Sequence, residues 1–193
     1  MLTLVFATHN HNKLMEVKNL IPKSIHLLSL DEINFKEEIA ETESTLEGNA
    51  LLKARAIYDK LKMNCFADDS GLLIDALDGS PGVYSARYAG EPKNDEANTQ
   101  KVLQQLLGIE NRKAHFKTVI TLIINGKEYV CEGVMNGTIT TIKRGTDGFG
   151  YDPIFIPDGY SKTFAEMNSQ EKSSISHRSI ALHKMINVLQ SLN

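Results

Sequence analysis

The chain has 193 residues, 41% of them hydrophobic, and a net charge of −3; its 13 glycines bring the apolar share to about 48%, the range of soluble globular chains. This length predicts one domain, with room for two lobes, able to bury a core without disulfides or a structural metal. With no basic excess and no long run of like charge, a nucleic-acid or membrane-surface binder is not expected, and no apolar run approaches the ~18 residues of a membrane span. Cys65 and Cys131 form no CxxC and read as reduced residues of a cytoplasmic protein. No ligand pairs sit at zinc-site spacing. In MLTLVFATHNHNK the apolar residues precede the first cation, the wrong order for a secretory signal.

From the N-terminus, Leu2 to Ala7 predicts a strand that breaks into Thr8-His9-Asn10-His11-Asn12-Lys13. Leu14, Val17, Leu20 and Ile21 follow at helical spacing, and Pro22 closes that helix. A short strand is expected around His26 to Ser29, while 31–44 is polar and acidic without a readable pattern. Ser44 and Glu47 form an S-x-x-E capping box before Leu46, Ala50, Leu51, Ala54, Ile57, Tyr58 and Leu61, a single apolar helix face. Cys65-Phe66-Ala67 reads as a short strand stopped by Asp68-Asp69-Ser70-Gly71. A helix from about Asn94 to Leu107 ends at Gly108. Alternation of Phe116, Thr118, Ile120, Leu122 and Ile124 predicts a strand; Asn125-Gly126 and Asn136-Gly137 both read as hairpin turns, making an antiparallel meander. The glycine-rich loop Gly145 to Asp152 leads to a strand at Ile154 to Ile156. Asn168 and Glu171 form another capping box, and Ser176 caps a last helix whose buried stripe is Ile180, Leu182, Met185, Ile186 and Leu189. The fold class is α/β with a mixed sheet flanked by helices.

Four places carry side chains suited to chemistry. The turn at Thr8, Asn10 and Lys13 offers backbone N–H groups, two polar side chains and a full positive charge at a helix start, which suits a polyphosphate. Asn12 could take a left-handed conformation there. The same turn is equally a capped helix with a surface lysine. Asp68 and Asp69 follow a strand, so they point to opposite sides. Two carboxylates suit Mg2+, with Glu37, Glu38, Glu41 and Glu43 as candidates for the second ligand, although Asp-Asp-Ser-Gly is also good turn chemistry. In Gly145 to Asp152 the glycines allow close approach, and Phe149 or Tyr151 could stack on a planar ring or simply fill core. Lys172 and Ser176-His177-Arg178 gather donors at a helix start that could hold an anion, read a carbonyl, or be a solvated cap. No Ser-His-Asp or Cys-His triad can be assembled.

Taken in order, A-T-H-N-H-N-K, E-T-E-S-T-L-E-G-N-A-L-L-K-A, A-D-D-S-G-L, G-F-G-Y-D-P-I-F and E-K-S-S-I-S-H-R resemble the inosine triphosphate pyrophosphatase family. Pro81-Gly82-Val83-Tyr84-Ser85-Ala86-Arg87 extends the resemblance over essentially the full length. It implies an elongated, two-lobed α/β domain over 1–193 on a long central mixed sheet, with the cleft between lobes, usually as a homodimer. It also implies Mg2+-dependent hydrolysis of dITP, ITP and XTP to nucleoside monophosphate and pyrophosphate, which clears deaminated purines from the nucleotide pool.

The resemblance assigns the 8–13 turn to substrate, so that Thr8, His9, Asn10, His11, Asn12 and Lys13 would surround the triphosphate, with Lys53 as a further phosphate contact. Glu41 and Asp69 would bind Mg2+, and Asp69 would also serve as base for the attacking water, with Ser70 touching substrate beside it. Phe149, Gly150, Tyr151 and Asp152 would line the base and sugar pocket, and Lys172, His177 and Arg178 would complete base recognition. Two residues depart from the pattern: His9 stands where many members have glycine, and Gly48 where many carry an acid. Two rivals share the same motifs, a catalytically silent nucleotide sensor and a pyrophosphatase for modified pyrimidines.

Overall fold

In the computed structural model, which describes residues 2–192, the chain runs β1 (Leu2–Phe6), α1 (His11–Leu20), β2 (Ile25–Leu28), α2 (Leu46–Leu61), β3 (Cys65–Ile74), α3 (Asp95–Gln105), β4 (Lys113–Ile124), β5 (Lys127–Ile139), β6 (Phe155–Pro157), α4 (Ser169–Ile175) and α5 (His177–Ser191). The strands form one sheet in the order β2-β1-β3-β4-β5-β6. β1 lies parallel to both neighbours, Leu2 opposite Ile25 of β2 and Val5 opposite Cys65 of β3. Asn125 and Gly126 alone join β4 to β5, with φ of 49° and 80°, the left-handed pair that a two-residue hairpin demands. β6 closes the far edge antiparallel to β5. The α/β class and mixed sheet expected from the sequence are therefore present. Among the described residues no helix is long and apolar enough to cross a membrane.

The sequence reading needs four corrections. Asn136-Gly137 is not a turn but lies inside β5, and the third strand of the meander is β6. Gly137 is there for space: a Cβ on it would fall 2.2 Å from the Ile156 carbonyl oxygen and 2.6 Å from the Phe155 ring. Asp68-Asp69-Ser70-Gly71 does not stop β3, which continues to Ile74 with most of these residues buried. α2 is capped by Thr45, whose side chain accepts the Gly48 N–H, one residue later than the Ser44 box predicts. Asn12 sits in the first turn of α1 and takes no left-handed conformation.

Contacts divide the chain into two compact units. The first holds Met1–Asp69, Thr118–Gly133 and Arg178–Asn193, and the second Ser70–Lys117 and Val134–His177. In the first unit strand alternation sorts side chains onto two faces. Leu4, Phe6, Phe66, Ile120 and Leu122 pack with Val17 of α1 and with Ala181, Leu182, Met185 and Leu189 of α5. Val5, Ala7, Cys65, Ala67 and Ile123 pack instead with Ala54 and Ile57 of α2. Phe6 and Phe66 stack at 4.6 Å on the first face. The second unit has its own core, in which Phe116 meets Phe155 edge-on at 4.7 Å and joins Leu72, Ile74, Val102, Leu106 and Phe164.

Because backbone rather than a yielding side chain opposes Gly137, Gly137→Ala should lower stability by about 1–3 kcal/mol, the usual effect of overpacking. Urea unfolding measures this, and an unchanged midpoint would refute the close approach of β6.

Candidate active site

The turn after β1 is built by its own polar residues. Asn10 caps α1, its side chain accepting the Lys13 N–H at 3.2 Å, while the Thr8 hydroxyl oxygen accepts the Asn10 N–H at 3.1 Å. His9 stands exposed, with its Nε2 3.0 Å from the Glu37 carbonyl oxygen, so it ties the turn to the acidic segment. His11 and Asn12 are exposed in the first turn of α1. This α-helix of ten residues thus presents its N-terminus beside a lysine.

The alternation that sorts the core of the first unit continues into its acids. Asp68 shares the parity of Phe66 and meets cations from α1 and α5. Both of its oxygens lie 3.1 Å from Lys13 Nζ, and Arg178 Nε donates to Oδ2 at 3.2 Å. Arg178 also pairs with Glu16. Asp69 shares the parity of Ala67 and meets α2. Lys53 Nζ donates to Asp69 Oδ1 at 3.3 Å and to Glu41, and the Asn49 amide donates to Asp69 Oδ2 at 3.3 Å.

These neighbours pull the two aspartates in opposite directions. Burial alone would raise Asp68, but Lys13 and Arg178 outweigh it and hold the carboxyl well below the usual range. Asp69 is raised, by burial first and by Glu41 and Asp68 as well, against the opposition of Lys53 and Lys13. Burial lowers Lys13 more than Asp68 raises it. Burial also disfavours the Lys53 ammonium, but Asp69 and Glu41 hold it above its ordinary value.

Glu41 and Asp69 converge on one cation, the Lys53 ammonium, from an irregular segment and from a strand. Among the described residues no cluster of three His, Cys, Asp or Glu is placed to hold a metal. Two carboxylates nevertheless fit Mg2+, which takes one or two from protein and completes its shell with water and phosphate oxygens. Zn2+ favours nitrogen and sulfur ligands, and among the described residues no group of His and Cys is placed to supply them.

The second unit carries a different constellation. Asp152 Oδ2 accepts the Phe149 N–H at 2.8 Å and the Lys172 ammonium at 2.7 Å. That ammonium lies 4.9 Å from the centre of the Phe149 ring and 5.7 Å from that of Phe164. Gly150 is held by α3, its N–H donating to Asp95 at 3.0 Å and its carbonyl lying 3.3 Å from the Thr99 hydroxyl. Of the two loop aromatics, Tyr151 is core: it is buried, and its hydroxyl donates to the Ser85 carbonyl at 2.8 Å. Phe149 is only half-buried. His177 stacks on Phe116 at 4.6 Å.

In the first unit the structure brings Lys13 and Arg178 together on Asp68, and Glu41 and Asp69 together on Lys53; in the second it groups Phe149, Asp152 and Lys172. Ser70 follows Asp69 in β3 and is half-buried. His177 and Arg178 are adjacent in sequence yet belong to different units, the former on an aromatic ring and the latter between carboxylates. Sequence reasoning missed Glu16, Asn49, Asp95 and Thr99. Asn49 had a readable signal, since it lies four residues before Lys53 inside the buried stripe of α2. Glu16, on α1, had none, because its partner is 162 residues away.

Comparison with known proteins finds relatives over nearly the full length of the chain. The Ham1 family model matches residues 4–188. A Flavobacterium johnsoniae protein named dITP/XTP pyrophosphatase is 52% identical over 186 residues, 96% of this chain and 97% of its own. A Bacillus subtilis protein of the same name is 49% identical over 191 residues, 97% of this chain and 96% of its own. The solved structure of the Staphylococcus aureus Ham1 protein matches with a TM-score of 0.90 at 39% identity, covering 99% of this chain and 100% of that one. On the full-length family match and relatives near half identity, the chain belongs to the Ham1 family.

Proposed function

We propose that this chain hydrolyses the deaminated-purine nucleoside triphosphates dITP, ITP and XTP between the α- and β-phosphates, giving nucleoside monophosphate and pyrophosphate. The observation that carries this reading is the convergence of Glu41 and Asp69 on the Lys53 ammonium, with the half-buried Lys13 paired to the adjacent Asp68. Relatives at about half identity bear the name dITP/XTP pyrophosphatase.

Each constellation suits a different chemical part of such a substrate. In the first, the N-terminus of α1 with Thr8, Asn10, Lys13 and Lys53 offers donors and positive charge to phosphate oxygens. Three cations there, Lys13, Lys53 and Arg178, face four carboxylates, Glu16, Glu41, Asp68 and Asp69. A polyphosphate would find no net positive charge from these side chains alone. Mg2+ held by Glu41 and Asp69 would supply it, neutralising phosphate charge and polarising the bond to be cleaved. Asp69 orients the attacking water and accepts its proton at a carboxylate oxygen. Lys13 and Lys53 hold the phosphates and meet the charge that gathers on the leaving pyrophosphate.

In the second constellation the half-buried Phe149 provides a stacking face for a purine. Lys172, His177 and the loop backbone supply donors for a 6-oxo group, which hypoxanthine and xanthine carry and adenine replaces with an amino donor. A site built to hydrogen-bond one such group rejects the mismatch by ~10⁴–10⁵. Clearing deaminated purines from the nucleotide pool, in the cytoplasm and as a homodimer, completes the proposal.

With Mg2+ present, dITP and XTP should yield pyrophosphate while dATP yields little, as read by an assay that separates pyrophosphate from orthophosphate. Orthophosphate as first product would make the enzyme a stepwise phosphatase, and binding without turnover would make it a sensor. Asp69→Asn should lower kcat by at least ~10²-fold, the lower bound for losing a general base, with the circular dichroism spectrum preserved. Near-normal turnover in that variant would remove Asp69 from the chemistry.

A further inference from the structure

Asn49 is a buried amide, 1% exposed, on a helix face otherwise made of Leu46, Ala50, Ala54 and Ile57 with Lys53. A polar group at such a depth is costly unless its hydrogen bonds are made. They are made. Its oxygen accepts the Glu43 N–H at 2.9 Å, and its NH2 group donates to the Glu43 carbonyl and to Asp69 Oδ2, each at 3.3 Å. The bond from Glu43 also fixes which way the amide faces, because a backbone N–H can meet only its oxygen. The NH2 group is thereby turned toward Asp69.

The partners of Asn49 are significant. Asp69 receives Asn49 on Oδ2 and Lys53, one turn further along α2, on Oδ1. The carboxylate is thus gripped at both oxygens and its plane is set. Glu43 lies two residues after Glu41 in a stretch with no helix or strand of its own. Both backbone groups of Glu43 are tied to the one amide, so Asn49 also anchors the segment that delivers Glu41. Gly48 makes room for this anchorage: a Cβ on it would fall 2.7 Å from Glu43 Cβ, so any side chain would push the segment off α2.

We propose that Asn49 is the positioning residue of the Glu41–Asp69 carboxylate pair, holding one member through its side chain and the other through the backbone of Glu43, ready for a divalent cation. The proposal rests on the reading of that pair as the metal site of a pyrophosphatase. It explains how two acids 28 positions apart in sequence, one in an irregular segment, come to face the same point. It also accounts for glycine at position 48.

The test uses the full chain. Leucine keeps the four-atom side-chain skeleton of asparagine, branched at Cγ, and removes all three hydrogen bonds. Asn49→Leu should lower kcat and weaken Mn2+ binding to the nucleotide-free protein by about 10–100-fold each, the usual effect of losing a ligand-orienting partner, while KM for dITP changes little. The Mn2+ affinity is read from the electron paramagnetic resonance signal of free metal. Asn98→Leu is the structural control. It removes another buried asparagine, one that holds the Ala86 carbonyl and Ala89 N–H, and should leave Mn2+ affinity as it was. Wild-type Mn2+ affinity in Asn49→Leu, or an equal loss in Asn98→Leu, overturns the proposal.

Asn49→Asp keeps the acceptor for the Glu43 N–H but turns an oxygen toward Asp69; it should lose at least ~10-fold in kcat, and a normal kcat again overturns the proposal. One measurement needs no substitution: the Asn49 side-chain amide protons of the wild-type protein should shift when Mg2+ is added, and stationary resonances overturn the idea. The two readings fail separately. Mn2+ binding through Asn49 without hydrolysis sinks the pyrophosphatase assignment and leaves this inference standing. Hydrolysis indifferent to Asn49 does the reverse.

Discussion

The carboxylate of Asp68, 1% exposed, is the constraint on which the first unit depends. A buried charge is tolerated only where partners replace its lost hydration, and the partners of Asp68 include Lys13 from α1 and Arg178 from α5. Removing either would leave an uncompensated charge in the interior, at roughly 3–5 kcal/mol. So α1 and α5, which join the same apolar face through Val17 and Leu182, are also locked to β3 by ion pairs at its acidic end. Glu16 extends the lock by taking the guanidinium edge that Asp68 leaves. Lys13 is therefore held by the same ion pair that ties α1 to β3.

The second unit solves a comparable problem with one acid. Asp152, 3% exposed, accepts a backbone N–H and an ammonium at the same oxygen, so it folds the glycine-rich loop and fixes Lys172 over the Phe149 ring. The loop is further restrained at Gly150 by Asp95 and Thr99 from α3. Tyr151 is sunk in the core with its hydroxyl bonded, and burial pushes that hydroxyl above its ordinary acidity range, which keeps it neutral. Phe149, by contrast, is only half-buried, beside the Lys172 ammonium.

Much of this was legible in the sequence, for physical reasons that differ by element. Helices announced themselves through capping: Asn10, Asn94 and Asn168 cap as such residues do, and the Asn168–Glu171 box is closed in both directions. The Asn125-Gly126 hairpin was readable because two positive φ angles leave little choice of residue. Asn136-Gly137 misled because the same dipeptide there serves a close approach of β6, and spacing cannot distinguish a bend from a contact. Asp68 to Gly71 misled for a related reason. Polar residues end a strand unless buried partners receive them, and those partners, Lys13 and Arg178, lie 55 and 110 positions away. The candidate site residues could be named as types, acids and lysines near a helix start. Their pairing was not, since ion pairs over such separations leave no local trace.

The adjacency of Asp68 and Asp69 then has an explanation that neither residue has alone. A strand turns consecutive side chains to opposite faces, so two identical carboxylates sample two different surroundings within one residue's rise. Asp68 meets two cations, each at 3.1 to 3.2 Å, and is committed to holding helices. Asp69 meets one shared ammonium and one neutral amide, both at the longer distance of 3.3 Å. Lys53 divides its charge between Asp69 and Glu41, so a ligand that draws the ammonium toward phosphate would free both carboxylates together. No such release is open to Asp68, because freeing it would break the anchorage of α1 and α5. The same chemical group therefore meets two separate cations at one position and a shared ammonium with a neutral amide at the next, and the pleat of β3 is what separates them.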